Sequence, residues 1–157
     1  MRVSFDLDEV LFVDPLRYEI EKIPNKPQRI FFKEKLRKGT VDLFHELHKR
    51  GFEVWIYTSS FRTEAYIKRL FRFYGVVFDG IVNGTRHLRE VQQDRAETLP
   101  QKMPSRYRIS LHIDDETIIC SMGQQYGFNV YQLDAEDDQW KEKIIERAEQ
   151  IRKREFV

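Results

Sequence analysis

Short apolar runs and amphipathic segments alternate along the chain, and this alternation predicts its secondary structure. Apolar runs typical of strands cover residues 2–7, 52–57, 80–82, 108–113 and 128–133. Between them, apolar positions recur at helical spacing in residues 40–50, 64–73, 117–126 and 137–154. Strands that alternate with helices are typical of helices packed on a parallel sheet. The pattern therefore predicts an α/β sandwich with a central parallel sheet of about five strands.

Two segments interrupt this pattern. Residues 9–23 carry few apolar positions and predict a loop or hairpin that leaves the sheet, and the prolines at positions 24 and 27 extend it as a loop. Residues 85–103 are polar and predict at most a weak helix. No repeat or linker divides the chain, so we expect residues 1–157 to form a single domain.

Composition excludes several classes of protein. Lys and Arg number 27 against 26 Asp and Glu, so net charge does not indicate a nucleic-acid partner. No apolar run approaches the roughly 20 residues of a membrane span, and we expect no membrane partner. The single cysteine, Cys120, fits a reducing compartment and predicts a buried structural thiol. These features predict a cytoplasmic protein.

Acidic residues stand where two of the predicted strands end. Asp6 and Asp8 close the first apolar run, and Asp114 and Asp115 close the fourth. Ligands of an open parallel sheet bind at the carboxyl ends of its strands, so adjacent strands would bring these four side chains together. Carboxylates at that density repel one another. Mg²⁺ would relieve the repulsion, and it commonly sits where carboxylates meet a phosphate.

The spacing of the first acidic pair permits phosphoryl transfer. Asp6 and Asp8 lie two residues apart, so an extended backbone directs both to one face. One carboxylate can attack phosphorus, and the other can transfer the proton. Exposed acids at strand ends are also common, so the pair alone does not establish chemistry. After the second strand, the hydroxyl of Thr58 either donates to a phosphate oxygen or caps the next helix.

A phosphate site also needs a cation, and the sequence offers more than one. Lys102 lies shortly before the fourth strand and could neutralise both Asp6 and a phosphoryl group. Its competitors are Arg95, Arg106 and Arg108. The basic residues that follow Thr58 either flank the site or form a solvated helix face, and they are Arg62, Lys68, Arg69 and Arg72.

In this order, the motifs resemble those of the haloacid dehalogenase (HAD) superfamily. They are D-x-D after the first strand, a threonine after the second, a lysine, and D-D after the fourth, and they span nearly the whole chain. The resemblance implies a three-layer, Rossmann-like core and a Mg²⁺-dependent phosphatase or phosphotransferase.

The resemblance also implies the catalytic and phosphate-binding residues. Asp6 would be the nucleophile that forms an aspartyl-phosphate, and Asp8 would be the general acid and base. Thr58, with Ser59 beside it, would bind the phosphoryl group. Lys102 would stabilise both the nucleophile and the phosphate.

The same resemblance implies the ligands of Mg²⁺. They would be Asp6, the backbone carbonyl of Asp8, and Asp114, with Asp115 assisting. The residues after Asp8 are Glu9 and Val10, where many members have Gly-Thr or Glu-Thr, and this departure indicates nothing about the substrate.

Cap size carries the information about substrate in this superfamily. Neither residues 8–52 nor residues 58–102 leave room for a full cap domain, so the chain resembles the capless branch, with residues 14–38 as a minimal lid. An open site suits a macromolecular phosphate, or a small one covered by a neighbouring subunit of a homo-oligomer. Phosphoproteins, nucleotides, nucleic-acid ends and small metabolites all remain candidate substrates.

The main alternative is a weakly active or inactive binding module, with a regulatory role, that has the same fold. The presence of both Asp6 and Asp8 argues against it, because a binding scaffold has no chemical need for them. A receiver domain also carries an acidic cluster, but its phosphoacceptor lies at the third strand, and the order of motifs here does not match.

Overall fold

The computed structural model describes residues 1–93 and 95–155, and its centre is a sheet of five parallel strands. The strands are β1 (Arg2–Phe5), β2 (Glu53–Tyr57), β3 (Gly80–Val82), β4 (Ile109–Asp114) and β5 (Val130–Gln132). Their order across the sheet is β3-β2-β1-β4-β5, so β1 lies in the middle with β2 and β4 on either side. The prediction of an α/β fold on a five-stranded parallel sheet is confirmed.

Five α-helices connect and cover the strands. They are α1 (Thr40–Lys49), α2 (Glu64–Phe73), α3 (Gly84–His87), α4 (Thr117–Tyr126) and α5 (Trp140–Glu155). A π-helical turn (Leu88–Gln92) continues α3, and short 3-10 helices cover Pro27–Phe31 and Pro104–Tyr107. Among the residues that the structure describes, no helix is long and apolar enough to cross a membrane.

Separate apolar clusters lie on the two faces of the sheet and make the fold a three-layer sandwich. The larger cluster joins β1 to α1, α2 and α5, and in it the rings of Phe44 and Phe71 stack 5.7 Å apart against the first strand. A second cluster packs α4 against the segment around Val91 and Met103. Alternate strand residues point to opposite faces, so Val3 and Phe5 of β1 enter the larger cluster, while Ser4 and His112 are buried on the other face.

The chain leaves the sheet after β1 and returns to it at α1. A tight turn follows Leu7, whose carbonyl accepts hydrogen bonds from three successive amides, and Glu9 has a positive φ of 62°. Isolated antiparallel bridges then pair Phe12 with Leu36 and Ile20 with Arg37, so the segment leaves the sheet as predicted, but it pairs with residues beyond position 23 and not within itself. Arg37 is buried and donates to the carbonyls of Glu9 and Val10, which fixes the excursion to the end of β1.

Candidate active site

The strand register brings the predicted acidic residues to one edge of the sheet. Phe5 of β1 pairs with Ile113 of β4, and the amide of Asp6 donates to the carbonyl of Ile113 over 3.0 Å. Asp6 and Asp114 therefore emerge side by side. On the other side of β1, Phe5 pairs with Ile56, so Thr58 leaves β2 at the same edge.

Three carboxylates converge at this edge. Asp6, Asp114 and Asp115 each offer an oxygen, and the three oxygens lie within 4.8 Å of one another. Asp6 and Asp114 are buried, and Asp115 is half-buried. Burial raises the pKa of the Asp6 carboxyl to about 6, because the nearby charge of Lys102 only partly offsets the loss of solvent. Burial also raises the pKa of Asp115.

One oxygen of this cluster lacks a partner. Oδ1 of Asp6 is buried and has no hydrogen bond within the described part of the chain. Leaving a buried acceptor unpaired is costly, and the cost is larger for a charged group. A small hard cation with oxygen ligands would satisfy that atom and neutralise the neighbouring acids. The donor set therefore fits Mg²⁺.

Lys102 lies at the centre of the cluster. Its side chain is buried, and its Nζ is 2.9 Å from Oδ2 of Asp6 and 2.5 Å from Oδ2 of Asp114. Burial would lower the pKa of the ammonium, but the two carboxylates outweigh burial and raise it. The competing cations of the sequence analysis, Arg95, Arg106 and Arg108, have exposed side chains. Among the four, Lys102 is the residue that contacts the acids.

A buried hydrogen-bond chain positions the segment that carries Lys102. The amide of Met103 donates to the hydroxyl of Tyr57 over 2.8 Å, and this hydroxyl lies 2.6 Å from Nδ1 of His87. Burial lowers the pKa of His87, so its imidazole is neutral and its Nδ1 accepts the Tyr57 proton. Tyr57 on β2 and His87 on α3 thus fix the backbone next to Lys102. No sequence motif indicated this role for Tyr57 or His87.

A second buried chain orients Asp114. His112 places Nε2 2.9 Å from Oδ2 of Asp114, and Nδ1 of the same ring lies 2.8 Å from the hydroxyl of Ser4. Burial raises the pKa of Asp114, but the hydrogen bond from His112 and the charge of Lys102 outweigh it and place this pKa at about 2. Since the ionised Asp114 only accepts, Nε2 carries the ring proton and Ser4 donates to Nδ1.

The hydroxyl residues after β2 differ in their surroundings. Thr58 is buried, and its Oγ1 accepts a hydrogen bond from the amide of Ser60 over 3.1 Å. Its own proton has no acceptor among the described residues and is free for a ligand oxygen. Ser59 is exposed and lines a cavity next to the site. Thr63, and not Thr58, caps α2, by accepting from the amide of Tyr66.

Asp8 lies outside the carboxylate cluster. Its side chain is 53% exposed and forms a two-point ion pair with Arg62, with both N–O distances 2.9 Å. Arg62 also donates to Glu34 over 2.9 Å, and the hydroxyl of Tyr66 donates to the same carboxylate. From sequence, Arg62 was one of four basic residues that either flank the site or form a solvated helix face, and Glu34 and Tyr66 were not singled out. The feature that could have identified Arg62 is its position four residues after Thr58.

Comparison with known proteins adds evidence on the fold. No protein-family profile matches the chain, and no curated protein matches its sequence. A solved structure of a predicted HAD-like family hydrolase from Porphyromonas gingivalis aligns over 94% of this chain and 96% of its own, with 14% identity and a TM-score of 0.49. The HAD domain of the effector protein Lem4 from Legionella pneumophila, solved as an inactive mutant, aligns over 92% and 91%, with 16% identity and a TM-score of 0.52.

At such low identity, the likeness to Lem4 concerns the backbone architecture alone. That architecture agrees with the strand order and the three layers described above. The chain therefore has the fold of the HAD-like proteins.

Proposed function

We propose that the protein is a Mg²⁺-dependent phosphatase that hydrolyses a phosphomonoester through an aspartyl-phosphate on Asp6. The observation that carries this proposal is the contact of Lys102 with both Asp6 and Asp114 at the carboxyl ends of adjacent strands. A buried ammonium between two carboxylates forms an electropositive centre in an otherwise acidic site. Such a centre suits a dianionic phosphoryl group beside a carboxylate nucleophile.

The metal would be held by this chain's acids. Asp6, Asp114 and Asp115 would supply carboxylate oxygens, and the backbone carbonyl of Asp8 is a further proposed ligand. When bound, Mg²⁺ would neutralise charge on the phosphoryl oxygens and favour the ionised form of Asp6. The fit rests on the unpaired Oδ1 of Asp6 and on the oxygen-only donor set.

Asp6 and the residues around it each have a separate role in the proposed reaction. Asp6 attacks phosphorus, the bond from phosphorus to the ester oxygen breaks, and that oxygen takes a proton from Asp8. Water then attacks the same phosphorus, the bond between Asp6 and phosphorus breaks, and the water proton returns to Asp8. Lys102 and the free proton of Thr58 bind phosphoryl oxygens in both steps, and the exposed Ser59 contacts the part of the substrate beyond them.

The substrate is proposed to reach an open site. The excursion after β1 holds one 3-10 helix and two isolated bridges, and residues 14–38 of it are proposed to act as the minimal lid of a capless enzyme. Such a site would accept a phosphate on a large molecule, or a small phosphate ester that a second subunit covers.

The test is hydrolysis of an aryl phosphate by wild type and Asp6→Asn, each with Mg²⁺ and with chelator. We expect turnover confined to wild type with Mg²⁺, because the amide cannot serve as the nucleophile. Asp42→Asn is the matched control, since the side chain of Asp42 is 79% exposed on α1. Full activity of Asp6→Asn, with its fold verified by circular dichroism, would contradict the proposal.

A binding module with the same fold is the second candidate. The ion pair between Asp8 and Arg62 favours it, because it engages both oxygens of the proposed proton donor. Under this alternative, Mg²⁺ and a phosphate ester would bind without turnover in wild type, and the Asp6→Asn variant would not differ from wild type in product formed.

A further inference from the structure

A cavity of about 600 Å³ lies beside the proposed phosphate site. Its walls come from three segments that the fold brings together. Ser59 and Phe61 follow β2, Leu88 begins the π-helical turn after α3, and Leu99 and Gln101 precede the fourth strand. A volume of this size lies within the range of roughly 300–1,000 Å³ found for small-molecule sites.

Two residues of the cavity wall are chain neighbours of the proposed phosphate-binding residues. Ser59 directly follows Thr58, and Gln101 directly precedes Lys102. The two side chains proposed to bind the phosphoryl group therefore each have a neighbour in the cavity wall. A group esterified to a phosphate held by Thr58 and Lys102 would extend from the site into this cavity.

Two large apolar side chains of the wall are exposed. Phe61 is 64% exposed and Leu88 is 49% exposed. The exposed polar side chains of the wall are uncharged, and they are Ser59, Thr98 and Gln101. The ring of Phe61 also packs close to Gly84, because the Cβ of a larger residue at this position would lie 3.3 Å from the ring. The Phe61 ring thus presents a flat surface beside Leu88, which suits the stacking of a planar ligand.

The polar groups of the wall are already paired or neutral. The carboxamide of Gln92 donates to the carbonyl of Glu97 and accepts from the amide of Leu99. Nδ1 of His87 is bonded to Tyr57. None of the described residues that line the cavity is an Asp, Glu, Lys or Arg. The wall therefore offers no counter-ion for a second phosphate or a carboxylate.

We propose that this cavity binds the leaving group of the substrate, and that this group is an uncharged aromatic ring system. The inference rests on the proposed function, because it takes the phosphate position from Thr58 and Lys102. It narrows the substrate to aryl or arylalkyl phosphates and excludes nucleoside polyphosphates and sugar bisphosphates, whose second anionic groups would be unpaired in the cavity.

The experiment compares two phosphonates, in which a carbon–phosphorus bond replaces the ester bond that a phosphatase hydrolyses. Binding of 1-naphthylmethylphosphonate and of methylphosphonate is measured by calorimetry in the presence of Mg²⁺. We expect the naphthyl compound to bind wild type about tenfold more tightly or better, because only its ring buries apolar surface in the cavity. In Leu88→Trp, which fills the cavity, and in Phe61→Ala, which removes the flat wall, this preference should fall several-fold, while methylphosphonate binding stays unchanged.

Val77→Ala is the control, because Val77 is 64% exposed and lies outside the cavity wall. Equal affinity of the two phosphonates for wild type would overturn the proposal, as would a preference that both cavity variants retain. No binding of the naphthyl compound at all would overturn it too. Selective naphthyl binding without hydrolysis of any aryl phosphate would contradict the proposed phosphatase activity and support the cavity assignment. Hydrolysis of an aryl phosphate without selective naphthyl binding would support the phosphatase activity and contradict the cavity assignment.

Discussion

The guanidinium of Arg62 binds both carboxylate oxygens of Asp8 through two hydrogen bonds of 2.9 Å. Arg62 also binds Glu34, which belongs to the excursion after β1, and Tyr66 on α2 binds the other oxygen of Glu34. One guanidinium therefore links the proposed proton donor to the minimal lid. Because a two-point pair fixes the plane of a carboxylate, Arg62 orients Asp8, and one of the two hydrogen bonds must open before Asp8 can transfer a proton.

Replacement of Arg62 should therefore impair proton transfer more than binding. In Arg62→Ala we expect kcat for an aryl phosphate to fall by about 10- to 100-fold, a part of the roughly 10²–10⁴ that general acid–base catalysis contributes, with a smaller change in KM. Arg62→Lys should not restore kcat, since an ammonium lacks the planar fork. Addition of guanidinium ions should restore part of it in Arg62→Ala.

Arg69→Ala is the control for this experiment, because Arg69 is an exposed arginine on α2, the helix that begins two residues after Arg62. An unchanged kcat in Arg62→Ala would show that the ion pair is not needed for turnover. A loss of kcat that guanidinium does not rescue, together with a lower melting temperature, would point to a structural role for Arg62.

The pKa of Asp6 predicts how stability depends on pH. Burial raises its pKa in the folded protein to about 6, from an ordinary value of 3.8. A raised carboxyl pKa means that the protonated form is favoured in the fold, so this contribution is complete below pH 3.8 and is lost as pH rises through 6. The shift of about two units corresponds to about 3 kcal/mol.

The measurement is urea unfolding without metal at pH 4, 5, 6 and 7, for wild type and Asp6→Asn. We expect the variant to gain about 2 kcal/mol relative to wild type between pH 4 and pH 7, less than the full value of about 3 kcal/mol because the unfolded carboxyl is already partly ionised at pH 4. The comparison is needed because the pKa of His112 is lowered by burial, and that residue makes the fold lose stability as pH falls below 6.5. Asp42→Asn should parallel wild type. A difference that does not vary with pH would contradict the prediction.

His112 should affect metal binding although it lies behind the acids. It donates to Asp114, so His112→Ala would leave Oδ2 of this proposed ligand held by Lys102 alone and would loosen its orientation. Loss of such a supporting partner typically weakens metal affinity by about 10- to 100-fold. We expect the Mg²⁺ concentration for half-maximal activity, and for half of the Mg²⁺-induced rise in melting temperature, to increase by this factor.

His48→Ala is the matched control for the His112 experiment, since His48 pairs with Asp79 at the surface of α1. Ser4→Ala should give a smaller effect than His112→Ala, because it removes only the bond that fixes the imidazole tautomer. If His112→Ala folds and retains the wild-type Mg²⁺ dependence in both measurements, the role of His112 is confined to packing.

The carboxyl ends of three strands were predictable from sequence, because buried apolar residues give way there to polar ones. Asp6, Thr58 and Asp114 stand at these ends, and a parallel sheet places all three at one edge. Element boundaries were less accurate. The last helix begins at Trp140 and not at residue 137, because the side chains of Asp134 and Asp137 form local turns with the amides that follow them.

Side-chain partnerships across the fold were not predictable. Tyr57 and His87 lie 30 residues apart, and Arg62 and Asp8 lie 54 apart, so no local pattern pairs them. Burial of individual residues also depends on packing. Cys120 was expected to be buried, but it is only half-buried on α4, because that part of the helix lies towards β5 at the edge of the sheet.

Lys102 is the residue whose removal should be most damaging to both stability and activity. Lys102→Met retains the length of the side chain but leaves the buried carboxylates of Asp6 and Asp114 without their shared cation. We expect kcat to fall by about 10²-fold or more, since the cation that faces the phosphoryl group is lost. The free energy of unfolding at pH 7 without metal should also fall, and it should recover as pH is lowered towards 5, because the pKa of Asp6 rises further and protonation then removes the repulsion.

The control is Lys68→Met, because Lys68 is a half-exposed lysine paired with Glu64 on α2. It should leave kcat unchanged and shift stability by less than about 1 kcal/mol, the usual limit for a surface ion pair. Lys102→Met with wild-type kcat would exclude Lys102 as the phosphoryl-binding cation and redirect attention to Arg62, whose guanidinium is also at this edge of the sheet. Loss of kcat without any loss of metal-free stability at pH 7 would instead contradict the predicted stabilising role of Lys102 and leave only its role in turnover.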